Sequence, residues 1–180
     1  NAAAIVADSI GDGKRALGLL MQVLDDNQAD TEARSLARDL ARKVDDTTTL
    51  LSILRGDAEM ATDAASGRAA RLESVTILIR PDVGRGQEAI DTLAGIVSVE
   101  PDDSGAVEML RRLMAGGELD LAAADVAELA ADASGDKALA IDVLRVRERH
   151  ASEPVEKAAI LQGIGAACAA IGMDAEAADA

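Results

Sequence analysis

Gly11-Asp12-Gly13-Lys14-Arg15-Ala16 and Gly84-Arg85-Gly86-Gln87-Glu88-Ala89 are two copies of one Gly-x-Gly-x-x-Ala phrase. The numbering offset between them is 73 (84 − 11), and the downstream pattern keeps it: Leu17 with Ile90, Leu20 with Leu93, Val23 with Ile96, Asp30 with Asp103, Ala33 with Ala106, Leu40 with Leu113. Repetition at a fixed spacing of this size marks stacked supersecondary units. It speaks to architecture and leaves the biological task unnamed.

Working outward, helical periodicity dominates. Leu17, Leu20, Val23 and Leu24 form an apolar stripe between Lys14 and Asp26; Ala33, Leu36, Ala37, Leu40 and Val44 form another between Thr31 and Val44. The break 25–30 ends in Asp30, a residue type suited to capping the next helix. Leu50, Leu51 and Leu54 continue on a third helix, which Gly56-Asp57 is expected to interrupt. A further element with Leu72, Val75, Leu78 and Ile79 starts near Gly67 and stops at Pro81 and Gly84. Helices are then expected over 87–98, 104–115, near 119–131, 137–149 and 155–171, with the opening turns of another over 174–180. That makes about ten or eleven short helices, and breaks of only two to six residues return each one antiparallel to the last.

Composition narrows the function classes. Lys plus Arg number 18 against 33 Asp plus Glu, a net charge of −15. Such a balance disfavours binding to nucleic-acid phosphates or anionic lipid and suits either solubility or a basic partner. No apolar run is long enough to span a bilayer, and the first residues lack the pattern of a signal peptide. The compartment stays open, with the cytoplasm favoured. One cysteine, Cys168, excludes an internal disulfide and a thiolate-rich metal site. The chain has no Phe, Tyr or Trp.

Four motifs invite chemistry. Val75–Ile79 as a strand, Gly84-x-Gly86-x-x-Ala89 as a phosphate turn and Val97–Glu100 as a second strand would make a nucleotide-binding α/β enzyme domain, the alternative to an all-helical reading. Gly84 lies five positions beyond that strand, with Pro81 in between, and this spacing and the same phrase at Gly11 favour a plain turn between helices. Asp25-Asp26-x3-Asp30 has the look of a magnesium-diphosphate motif but lacks a second acidic motif. Asp8-x-Ile10-x-Asp12-Gly13 fails as a calcium loop because Ile10 and Leu19 stand where oxygen ligands belong. His150 and Cys168 lie on separate elements and do not read as a base and its nucleophile. His150 reads as a helix-end cation and Cys168 as a small buried hydrophobe.

At its C-terminal end the chain resembles the tetratricopeptide repeat family. Leu161-x2-Ile164-Gly165-x2-Cys168 falls on the family's first-helix pattern, with Gly172 at the turn and Ala177 at the small position of the second helix. Ala89-x3-Leu93 with Pro101, and Ala16-x3-Leu20, fall on second-helix positions. Gln28 replaces the closing proline in the first unit, and Glu73, Thr76 and Arg80 break the first-helix pattern in the middle, consistent with an insertion around Pro81-Asp82. The resemblance, closest to Ala-rich bacterial scaffold repeats, implies an all-α right-handed solenoid of antiparallel hairpins. It also implies a non-catalytic scaffold that holds a partner protein segment on its concave face or forms part of a larger assembly. The family's carboxylate clamp is not carried over, since Asn occurs only at Asn1 and Asn27. The expectation is therefore a single array over 1–180, cut from a longer one, with repeat-like blocks near 1–44, 45–117 and 118–180. Neither catalytic, cofactor nor metal residues are expected, and no partner-binding residue is singled out.

Overall fold

The structure is a computed structural model that describes residues 13–172. Among these residues it is all-α, with nine helices and no strand: α1 Gly13–Asp26, α2 Thr31–Lys43, α3 Thr47–Met60, α4 Ala64–Leu78, α5 Gly86–Val97, α6 Ser104–Met114, α7 Asp120–Ser134, α8 Lys137–His150 and α9 Pro154–Ala170. Neither segment that the α/β alternative needs as a strand is one. Val75–Leu78 is the last turn of α4, and Val97 ends α5. Gly11, the Asp8–Asp12 stretch and the turns expected over 174–180 lie outside the described residues.

Local chemistry accounts for most helix starts. Asp30, Asp46, Asp63, Asp103 and Asp136 each sit just before a helix and accept a hydrogen bond from an amide of its first turn, at 2.7–3.0 Å. That satisfies a backbone donor with no partner inside the helix. Pro154 occupies the first turn of α9, where its missing N–H costs nothing. At the other ends, Gly135 (φ 75°) closes α7 in the left-handed conformation that glycine adopts without a Cβ penalty.

The chain divides into two compact units, Asn1–Gly84 and Arg85–Ala180. In the first, α1 packs on α2, α2 on α3 and α3 on α4. In the second, each helix packs on its successor, and α5 also meets α7 while α6 meets α8. The two units are built to one plan. Adding 73 to the first residues of α1, α2, α3 and α4 (13, 31, 47, 64) gives the first residues of α5, α6, α7 and α8 (86, 104, 120, 137).

The spacing inside each unit is finer still. Between the starts of the odd-numbered helices the numbering advances by 34 (Gly13 to Thr47), 39 (Thr47 to Gly86), 34 (Gly86 to Asp120) and 34 (Asp120 to Pro154), and between those of the even-numbered helices by 33, 40 and 33. A helical hairpin with its two turns thus repeats with a period of 33 or 34, and the longer step contains the turn at Pro81-Asp82. Burial follows the same register over three helices: Ala16 and Ala89, Leu20 and Leu93, Ala33 and Ala106, Ala37 and Leu110, Leu54 and Ala127 are all buried. The register fails between α4 and α8, where exposed Ser66 answers buried Leu139 and buried Ile77 answers exposed His150.

Two sequence expectations need correcting. Helix α3 runs unbroken through Gly56. A Cβ there would lie 2.6 Å from Arg34 Nη1, so the glycine admits a guanidinium rather than breaking the helix. Helix α9 stands in the phase of α1 and α5. The motif at Leu161–Cys168, read as a first helix, and those at Ala16 and Ala89, read as second helices, therefore fall on helices of one phase.

Candidate interaction clefts

In the first unit, α2 carries Arg34, Arg38 and Arg42 at successive four-residue steps, which places them along one stripe. Facing them, Asp57 of α3 lies 3.4 Å from Arg34 Nη1 and 3.2 Å from Arg38 Nη1. Arg34 also donates to the Gln28 carbonyl at 2.6 Å. Arg42 pairs with Glu73 of α4, a strut from α2 to α4, and with Asp39 at 3.0 Å. The hydrogen bond to Glu73 pushes the Arg42 pKa further up, so this guanidinium stays charged.

Between α2 and α4, over the C-terminal end of α3, opens a cleft of about 530 Å³ whose walls include Thr31, Arg34, Ser35, Arg38, Asp57 and Asp63. The second unit has a cleft of about 550 Å³ at the matching place, between α6 and the start of α8, lined by Ser104, Val107, Glu108, Arg111, Ser134 and Asp136. Shifted back by the repeat offset, those six become Thr31, Arg34, Ser35, Arg38, Ala61 and Asp63, all of which line the first cleft. Arg111 bridges to Asp142 of α8 at 2.9 Å and to Asp136 at 3.5 Å.

The electrostatics of the two units differ. The first carries 10 Lys and Arg against 14 Asp and Glu, the second 8 against 19. Most of the negative charge therefore belongs to the second unit, whose cleft is lined by Asp102, Glu108 and Asp136 around Arg111, itself bridged to Asp142.

The residues weighed from sequence fall as follows. Gly86 opens α5, and a Cβ on it would lie 2.6 Å from Leu119 Cδ1; the glycine makes room for a leucine, not for a pyrophosphate. Gly84 (φ 64°) supplies the left-handed conformation of the preceding turn, and Ala89 is buried in the core. Asp30 caps α2, while Asp25 and Asp26 are exposed. Among the described residues no group of three or more His, Cys, Asp or Glu side chains could hold a metal ion, and no helix is long and apolar enough to cross a membrane.

His150 lies in the last turn of α8 with Arg147 and Arg149, and its Nε2 is 2.9 Å from Asp120 Oδ2. Cys168 is fully buried in a cluster with Ile141 and Ile164. Ile141 is nine residues before His150 on α8, roughly 13 Å of helical rise, so the sulfur packs near one end of that helix and the imidazole sits at the other.

The arginine stripe and the clefts escape a reading that traces the repeat through apolar positions alone. The signal is nevertheless present: Arg38 and Arg111 keep the repeat offset of 73, as do Asp63 and Asp136. No protein-family model, no curated protein and no solved structure matches this chain.

Proposed function

We propose that the chain is a non-catalytic protein–protein interaction scaffold, a tetratricopeptide-like right-handed solenoid that holds a partner segment along its even-numbered helices. The observation that carries this reading is the cleft that recurs with the repeat, at matching residues on α2 and α6 and at the N-caps Asp63 and Asp136. Recurrent open clefts suit an extended peptide, whose own repeat can be read by successive units. The hairpin period of 33 or 34 supports the family resemblance and the stacking it implies.

The test is a random peptide library selected on the folded chain, followed by amide-resolved NMR of the chain with the selected peptides. Shifts confined to α2, α4, α6 and α8 support the proposal. Failure to select any peptide, or shifts confined to the odd-numbered helices, overturns it.

A further inference from the structure

This inference rests on the scaffold reading and adds the chemistry of the partner. We propose that the cleft of the second unit binds a basic segment of a partner protein, with a Lys or Arg side chain seated against Asp102 and Glu108.

Four charged residues line that cleft: the carboxylates Asp102, Glu108 and Asp136, and the guanidinium of Arg111. The one cation is already shared, between Asp136 at 3.5 Å and Asp142 at 2.9 Å. Asp136 also accepts from the Leu139 amide at 3.0 Å, capping α8. Asp102 and Glu108 are exposed, and their side chains hold no hydrogen bond or ion pair among the described residues. Adding Lys137 and Asp142, the charged residues on the first two turns of α8, leaves four carboxylates against two cations.

The first unit shows what has changed on the common frame. Shifted by the repeat offset, its Ala29, Arg34 and Ser35 become Asp102, Val107 and Glu108, so the α6 side gains two carboxylates and loses a guanidinium. Asp57 and Glu73 of the first cleft are both bound to arginines, and their counterparts are the buried Ala130 and Val146. The second cleft thus carries its spare anions free and facing solvent. The unit around it, with 8 Lys and Arg against 19 Asp and Glu, adds a field of the same sign, which draws a basic segment and repels an acidic one. Val107 on the same wall suits the methylene stem of a Lys or Arg.

The experiment uses the full chain and three fluorescent peptides with blocked termini, so that only side chains are offered: oligolysine, oligoglutamate and a neutral Gly-Ser control. Oligolysine is expected to bind and to shift the amides of 102–111 and 134–142. Asp102→Asn combined with Glu108→Gln is expected to weaken it about tenfold. Glu118→Gln combined with Glu156→Gln removes the same charge from exposed positions of this unit outside the cleft. At physiological salt that pair is expected to weaken binding by less than about twofold. Circular dichroism checks that each variant folds, and the amide shifts test the site without any substitution. Equal weakening by the two double variants, oligolysine shifts spread over both units, or library-selected peptides that bind the clefts while oligolysine does not, overturn this inference and leave the scaffold reading standing. If no peptide of any kind binds, both fall.

Discussion

His150 Nε2, at the end of α8, meets Asp120 Oδ2, at the start of α7, at 2.9 Å. Arg149 adds a guanidinium at 3.6 Å from the same oxygen and donates to the Met114 carbonyl at 2.6 Å. Asp120 is one of only two buried charged or polar residues among those described, and this latch holds the end of the α7/α8 hairpin that is opposite its turn.

The latch makes stability depend on acid. The hydrogen bond with His150, helped by the Leu121 amide and Arg149, holds the Asp120 carboxyl below its ordinary value of 3.8. A carboxylate depressed in the folded state contributes stability above its unfolded value and loses it as pH falls through the folded one. Unfolding midpoints followed by far-ultraviolet circular dichroism are therefore expected to drop as pH falls below about 4. Asp120→Asn is expected to lower the midpoint at neutral pH and flatten part of that acid limb. An acid limb identical to that of the parent protein would remove Asp120 from this role.

Core truncation should separate buried from exposed leucines. Leu54 is fully buried and Leu129 is 66% exposed. Leu54→Ala is expected to cost about 2–5 kcal/mol in urea unfolding, including the cavity it leaves. Leu129→Ala should stay within about 0.5 kcal/mol. Equal costs would contradict the burial of Leu54 in the packing of α3.

The equivalent caps can be tested side by side. Asp30 and Asp103 hold the first turns of α2 and α6 at 2.9 and 2.7 Å, and Asp103 is the more buried. Asp103→Ala is expected to cost about 1–2 kcal/mol and Asp30→Ala about 1 kcal/mol by thermal unfolding. Asparagine at either place should recover most of the loss; no recovery would argue that the carboxylates act other than as caps.

Glycines that look alike in the sequence should respond differently. Gly135 has φ 75°, and a Cβ added to it would meet no neighbouring atom. Gly135→Ala is therefore expected to cost about 1–2 kcal/mol through backbone strain alone, with Asn milder than Ala. Gly86 has no such backbone demand, and Gly86→Ala presses on the movable end of Leu119. Its cost should fall if Leu119 is shortened to Ala in the same chain. A double-mutant cycle reads this coupling directly, and strict additivity would exclude the contact.

The amino-acid sequence by itself determined the helical class, most of the breaks and the cap at Asp30, because these depend on residues within one or two turns of each other. The repeat was equally plain, since Gly84, Leu93, Asp103 and Ala106 follow Gly11, Leu20, Asp30 and Ala33 in the same order and at the same offset. Tertiary structure alone decided what meets across helices. Arg34 and Arg38 with Asp57, Arg42 with Glu73, Arg111 with Asp142 and Asp120 with His150 join positions 19 to 31 apart in the chain. No local propensity encodes such pairs; they follow from how neighbouring helices are spaced and rotated. The same packing carried α3 through Gly56, where propensity favoured a break, because the space a Cβ would fill is occupied by a guanidinium from another helix.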